Sequence, residues 1–279
     1  MTEQRHPFFQ VPQTVRATSE GDFDFPIFYF DASNLLAFFL GDRDAAAAHL
    51  SGTGLQPALT IGNRALVALS HYEYRRTGIG AYNEVGLALP VLPEGAPQVR
   101  NPIHAFYGAV DERHLGLHVL DLPVTTALAC TGGREVYGFP KFVTEIPFRL
   151  DRNGFETSVL DPDGQGNIFS LSGRLLPGVP VPPMSLVLYS HLQGEMLRST
   201  VNVRGRMTLR PAHGLRLQVG ESNHRMANNL RELGLEGARP VVVMDTHRFQ
   251  SRLNAGVPIG KGAAPVVHAP IDTATTTLH

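Results

Sequence analysis

The chain has 279 residues, 43% hydrophobic and 18% charged, with a formal net charge of −1. These values fit a globular enzyme of one large or two small domains and supply no general field for nucleic acid or anionic lipid. The longest apolar runs, such as Leu35 to Leu40, are far too short to cross a bilayer, and Met1 to His6 hold no apolar segment of a secretory signal.

Residues 1 to 20 are polar and predict a flexible arm. Phe25 to Phe30 predicts a first strand. Asp31 or Ser33 then caps a short helix through Leu35 to Phe39, and Asp42 opens a second over Ala45 to Ala48. Ala58 to Ile61, Ala65 to Tyr74 and Asn83 to Leu92 predict strands, Ile103 to Val110 fits either a strand or a helix, and Gly116 to Leu120 is short and apolar. Pro123 to Cys130 predicts a helix with proline in its first turn, stopped by Gly132 and Gly133.

Beyond this point strands and turns dominate. Phe142 to Leu150 alternates, Asn153-Gly154 is a strong hairpin signal, and Phe155 to Leu160 returns. Asp161 to Gly164 turns again, and Ile168 to Leu176 is the next strand. Pro177 to Pro183 reads as a connection between Ile168–Leu176 and the strands that follow: Leu186 to His191, Ser199 to Leu209 and Leu215 to Val219. Asn223 to Leu233 predicts a helix between Ser222 as cap and Gly234 as stop, and Pro240 to Met244 a last clear strand. From Gly262 the tail is rich in Ala, Pro and Thr and reads as mobile. The 28 glycines and 21 prolines punctuate many short segments. The fold class expected is mainly β with flanking helices, a mostly antiparallel sheet curled into a barrel, with one domain over residues 21 to 261.

One tetrapeptide carries most of the chemistry. Gly138-Phe139-Pro140-Lys141 sets a lysine behind a proline and between Phe139 and Phe142, closely after Gly133, Arg134 and Glu135. A lysine amine must be neutral to attack a ketone and form a Schiff base. An ordinary lysine is neutral to only roughly 0.04% at pH 7, and an apolar shell raises that fraction by penalising the ammonium. The chemistry therefore depends on whether Lys141 is buried or, like most lysines, keeps its head in water.

The stretch from Gly133 to Lys141 resembles the signature of the acetoacetate decarboxylase family, in which Gly-Arg-Glu precedes an aromatic-Pro-Lys. Gly78-Ile79-Gly80-Ala81-Tyr82-Asn83-Glu84, with Gly86 and Pro90 after it, is similar to the family's Gly-x-Gly-x-Tyr-x-Glu segment, and a weaker similarity extends to Val241–Met244. The resemblance implies a cone-like β-barrel with Lys141 inside as the Schiff-base lysine and Glu84 lining the site. Phe139 and Phe142 would form a dry wall, Tyr82 and Tyr137 are candidate proton donors, and Arg134 is a candidate partner for a substrate carboxylate, although in this motif it more often supports Glu135 or the loop. It further implies a homo-oligomer acting on a small-molecule keto acid, by decarboxylation or by aldol addition and dehydration, with no cofactor. The single cysteine makes a reducing cytoplasm the default, and charge, apolar run length and histidine spacing point to no nucleic acid, membrane or metal partner. A non-catalytic barrel that binds a carbonyl compound is the alternative.

Three departures from the family bear on the substrate. Its second lysine is Phe142 here. The position of its second glutamate falls near Leu69 and Ser70, leaving Glu73 as the only substitute. Its arginine near the first strand has no counterpart between Gly21 and Gly41.

Other constellations fall away. His114 and His118, four apart, would lie roughly 13 Å apart on a strand, too far for one metal ion. Ser70-His71 and Ser190-His191 lack a nucleophile elbow. Gly78-Ile79-Gly80 does not complete a dinucleotide fingerprint, and Asp161 to Gly164 lacks the spacing of a calcium loop. Cys130, the sole cysteine, excludes an internal disulfide and reads as a small core residue beside Ala129.

Overall fold

The computed structural model describes residues 6 to 261, apart from Gln165. A 3-10 turn at Pro7–Phe9 leads into a hairpin of β1 (Thr14–Thr18) and β2 (Gly21–Phe25). Next come β3 (Ile27–Asp42), α1 (Arg43–His49), β4 (Leu55–Pro57), β5 (Thr60–Ile61), β6 (Arg64–Thr77), β7 (Tyr82–Pro93), α2 (Pro102–Tyr107) and β8 (Gly116–Val124). The middle of the chain holds α3 (Ala127–Tyr137), β9 (Lys141–Val143), β10 (Phe148–Leu150), β11 (Gly154–Leu160), β12 (Asn167–Arg174) and β13 (Val179–Val181). The last part holds β14 (Leu186–Leu192), β15 (Glu195–Arg204), β16 (Met207–Arg210), β17 (Leu215–Val219), α4 (Arg225–Glu232), β18 (Val242–Leu253) and β19 (Val257–Lys261).

Strands β3, β6, β7, β8, β14, β15 and β18 close into a ring, because β15 pairs with β18 as well as with β14. Every neighbouring pair in the ring is antiparallel except β8 with β14. This is the expected barrel. A second sheet, in the order β10-β11-β12-β17, covers one side of it.

Alternation along the ring strands divides the core in two. From β3 and β6, Leu35, Ala37, Phe39, Val67 and Leu69 point outward and pack against Phe155, Phe169 and Leu217 of the second sheet and Leu230 of α4. Leu36, Phe38, Ala68 and Tyr74 point inward, where Tyr82, Phe139 and Phe249 meet them.

This two-sided burial corrects the helix expected from Asp31 to Phe39. That segment is the middle of β3 and is buried on both faces. A helix needs a polar stripe for solvent, and this run has none to offer. The helix expected at Pro123 to Cys130 is displaced as well: β8 runs through Pro123 to Val124, and α3 starts after the Thr126 cap. Gly132 and Gly133 do not stop it, because they serve close packing. A Cβ on Gly132 would lie 2.5 Å from the Phe23 ring.

The expected arm is ordered from residue 6 onward. Phe9 is buried with Phe28 and Phe30, and β1 pairs with β2 along its length. The Pro177–Pro183 connection contains β13, paired with β16. The last strand runs much further than Met244, to Leu253, and β19 follows it. His224, rather than Ser222, caps α4 by accepting from Met226 N. The tail expected to be mobile, residues 262 to 279, lies outside the described residues.

His71 sits on the outward face of β6, fully buried between the rings of Phe155 and Phe169, with Nδ1 3.2 Å from the Leu35 carbonyl. Burial pushes its imidazole down to about 4. The folded state therefore prefers the neutral ring, and the unfolded chain takes up the proton first as pH falls. Stability from this group is complete above the unfolded value near ~6.5 and is lost between there and about 4. Asp121, raised by burial to about 6, acts in the opposite sense over part of that range. His71→Leu should leave the Asp121 contribution in place and remove roughly 2–3 kcal/mol of the acid loss between pH 7 and pH 4. Urea denaturation at stepped pH measures this; an acid limb as steep as wild type would mean that the buried ring titrates freely.

Candidate active site

Register brings two charged residues from distant parts of the chain to one face. In the β7–β8 pair Glu84 lies opposite Val124, and in the parallel β8–β9 pair Leu122 lies opposite Lys141. Leu122 and Val124 are two apart and share a face of β8. Glu84 and Lys141 therefore both point into the ring, separated by two strand spacings, roughly 10 Å. The lysine stem spans that gap. Its Nζ lies 2.5 Å from Glu84 Oε2, with the two residues 7% and 8% exposed.

The pair faces a cavity of about 90 Å³ inside the ring, where Tyr82, Tyr137 and Phe139 also stand. Lys141 Nζ is 5.8 Å from the centre of the Tyr82 ring. Tyr137 and Phe139 stack on each other, with centroids 5.2 Å apart, and the Tyr137 hydroxyl donates to the Asn254 carbonyl. Five of the expected site residues thus come together at one cavity.

Phe142 and Arg134 do not join them. Phe142 follows Lys141 in β9 and so points to the opposite side of the strand. It packs half-buried in the outer core, its ring 4.4 Å from that of His224. It is therefore not a wall of the cavity. Arg134 donates from Nε to the Lys141 carbonyl at 2.7 Å and holds the backbone of the reactive segment instead of facing the cavity. Glu135 accepts from Ser19 N at 3.0 Å and from its hydroxyl at 2.5 Å, tying the β1–β2 turn to α3. Glu73, the substitute for the family's second glutamate, pairs with Arg75 on the outside of the ring at 2.6 Å, while Ser70 faces the cavity.

Three tyrosines passed over in the sequence complete the site. Tyr29, Tyr72 and Tyr74 line the cavity with Tyr82. Tyr72 and Tyr74 stack with centroids 5.0 Å apart, and the Tyr29 and Tyr82 hydroxyls are 3.2 Å apart. Burial, followed by the Glu84 charge, holds the phenols of Tyr29, Tyr72 and Tyr74 above their usual range, and burial does the same for Tyr82. All four remain neutral donors at physiological pH. The signal lay in the alternation of β6: Ser70, Tyr72 and Tyr74 share a face, and Tyr82 and Glu84 share one in β7. Cys130 is fully buried in α3, its thiol pushed up by burial. Among the described residues no group of three His, Cys, Asp or Glu side chains could hold a metal, and no helix is long and apolar enough to cross a membrane.

The model of the family described as acetoacetate decarboxylase matches residues 10 to 192. The chain belongs to the acetoacetate decarboxylase family. No curated protein sequence matches it. Among solved structures it is similar to acetoacetate decarboxylase from Legionella pneumophila, at 15% identity over 93% of this chain and 94% of that one, with a TM-score of 0.62. It is also similar to the enduracididine biosynthesis enzyme MppR complexed with pyruvate, at 13% identity over 84% and 90%, with a TM-score of 0.58. An acetoacetate decarboxylase-like enzyme from Sphingomonas wittichii RW1 matches at 10% identity over 86% and 95%, with a TM-score of 0.57. At these identities the likeness is one of fold.

Two glycines of the family segment make room for the site in different ways. Gly138 ends α3 at φ +67, where a Cβ would meet the His191 carbonyl oxygen at 1.9 Å. Gly133 lies inside α3, where a Cβ would meet Cδ and Cε of Lys141 at 2.4 and 2.5 Å. The first clash is with backbone, the second with a flexible stem. Gly138→Ala should lose about 2–4 kcal/mol, from the left-handed conformation and from overpacking. Gly133→Ala should lose about 1–3 kcal/mol, less than Gly138→Ala, because the buried Lys141 stem can yield only by disturbing its Glu84 contact while helix propensity offsets part of the crowding. Chemical denaturation of both variants checks the order.

Proposed function

We propose that the protein is a Schiff-base lyase in which Lys141 attacks the carbonyl of a ketone substrate and Glu84 carries the protons. The observation behind this reading is the Lys141–Glu84 contact at 2.5 Å, sealed among aromatic side chains at the edge of a cavity. The sequence of steps balances without an outside reagent. Lys141 passes a proton to Glu84, and the neutral amine adds to the ketone carbon. The amine proton moves to the carbonyl oxygen, giving a carbinolamine. Glu84 returns its proton to that hydroxyl, water leaves, and an iminium remains beside the Glu84 carboxylate.

The iminium then accepts the electron pair of a neighbouring carbon–carbon bond, releasing carbon dioxide or, when the Glu84 carboxylate takes the proton of a β-hydroxyl, an aldehyde. Protonation of the enamine and hydrolysis restore Lys141. Acetoacetate and pyruvate, the compounds carried in the names of the relatives, open the panel of carbonyl compounds to try. The phenols around the pair keep it dry, supply neutral hydrogen-bond donors for the carbinolamine oxygen as it leaves, and add no charge beside the iminium.

Borohydride trapping tests the reading, and the composition makes the result easy to locate. The chain contains two lysines, Lys141 in the barrel and Lys261 at the exposed end of β19. A reduced adduct mapped by mass to Lys141, dependent on both ketone and reductant, is the expected outcome. Lys141→Arg should abolish it, since a guanidinium stays protonated and forms no imine. Glu84→Gln should slow imine formation by roughly 10²–10⁴-fold. Adducts on Lys261 alone would refute the assignment.

A further inference from the structure

Building on the Schiff-base reading, we propose that the cavity takes a neutral ketone bearing a flat apolar substituent, in preference to a keto acid that retains its carboxylate. The first support is the charge inventory. Among the described residues lining the cavity, Lys141 and Glu84 are the only two of charged type, and they neutralise each other. No arginine or histidine lines it, and Arg134, the expected carboxylate partner, is held on the Lys141 carbonyl.

The balance persists through the reaction. With a neutral ketone, the iminium faces one carboxylate, that of Glu84. With a keto acid, the same iminium faces two, and one negative charge is left buried without a partner. Repulsion from Glu84, ~6 Å away at an effective dielectric of ~20, is offset by the attraction of the iminium, so the penalty on the keto acid is the desolvation of its excess negative charge.

The second support is the shape and chemistry of the wall. The parallel Tyr72 and Tyr74 rings lie at an interplanar angle of 7°, the Phe249 ring stands at 61° to Tyr72, and Tyr29 and Tyr82 each lie within 4.8 Å of Tyr74. Faces and edges of this kind receive a flat apolar group, and one of phenyl size exceeds the present 90 Å³ and requires the lining side chains to give way. Of the Tyr29 and Tyr82 hydroxyls, one proton is used between them and the other is free to donate. The polar feature best served is therefore a neutral substrate oxygen, such as the hydroxyl of an aldol, and not an anion. Such a ketone is cleaved or dehydrated as an aldol through the enamine; it has no carboxylate to lose.

The protein supplies its own reporter. It has no tryptophan and seven tyrosines, and five of them, Tyr29, Tyr72, Tyr74, Tyr82 and Tyr137, line the cavity. Tyrosine fluorescence of the wild-type chain should be titrated with 4-phenylbutan-2-one and with 2-oxo-4-phenylbutanoate, which differ by a methyl in place of a carboxylate, and with acetone and pyruvate as the pair without the ring. Borohydride trapping is run in parallel on all four. The phenyl ketone should half-saturate at a concentration at least tenfold below that of the phenyl keto acid, and below that of acetone. Equal or tighter binding of the keto acid, acetone binding as well as the phenyl ketone, or no response to the phenyl ketone overturns the proposal. Trapping of the keto acids alone sinks the ligand class and leaves the Schiff base standing. Quenching by the phenyl ketone with no adduct at Lys141 from any compound does the reverse.

Discussion

An ammonium and a carboxylate buried side by side cost several kcal/mol each to desolvate, and their attraction offsets that only when the geometry is tight. The Lys141–Glu84 contact is such a case, and the barrel is arranged around it. The ring must close, so that water does not reach the pair from the side. Glu84 must stand opposite Val124, and Lys141 opposite Leu122, since a one-residue slip in either ladder would turn its charge into the outer core. The segment before Lys141 must also turn sharply enough to bring α3 down onto β9. Lys141 N bonding back to the Phe139 carbonyl at 2.8 Å, across Pro140, is the local sign of that turn.

The family segment divides these tasks among its residues. Gly133 lets the helix approach the lysine stem, Arg134 clamps the Lys141 carbonyl, Glu135 holds the β1–β2 hairpin over α3, and Gly138 lets the chain pass the His191 backbone. In the reading proposed here Lys141 acts on the substrate, Tyr137 and Phe139 wall the cavity, and Gly133, Arg134, Glu135 and Gly138 fix where the amine stands. A bidentate group such as Arg134 looks like a carboxylate binder in a sequence because its chemistry is identical in both roles. Only the fold decides which oxygen it meets.

The parts of the site that were legible before the structure share one property: they were local. Glu84, Tyr82, Phe139 and Lys141 lie in two short segments whose residue types constrain one another. The Tyr29, Tyr72 and Tyr74 cluster joins β3 to β6 across the sheet, and no local pattern announces a cross-strand partner. The same limit explains the elements. α1 was legible because Asp42 caps it within three residues, accepting from Ala45 N. The central part of β3 was not, because burial on both faces removes the alternation that marks a strand, and Asp31 and Ser33 imitate a helix cap. In α3, glycines that serve packing were indistinguishable from glycines that end a helix.

Phe142 puts a different light on how far this chain departs from its family. At the sequence level the missing second lysine removes a cation from beside the reactive one. In the strand, position 142 faces the outer core and His224, across the barrel wall from the cavity. A charge there would act through the wall and would contribute no group to the cavity surface. Its replacement by phenylalanine therefore changes the packing of α4 on β9 more directly than it changes the cavity. The family's second glutamate falls near Leu69 and Ser70, and of these two Ser70 faces the cavity, where it adds no charge beside the tyrosine wall. The interior that results holds one ion pair, internally balanced, in an aromatic shell, and a substrate that adds no net charge is the one that leaves that balance undisturbed.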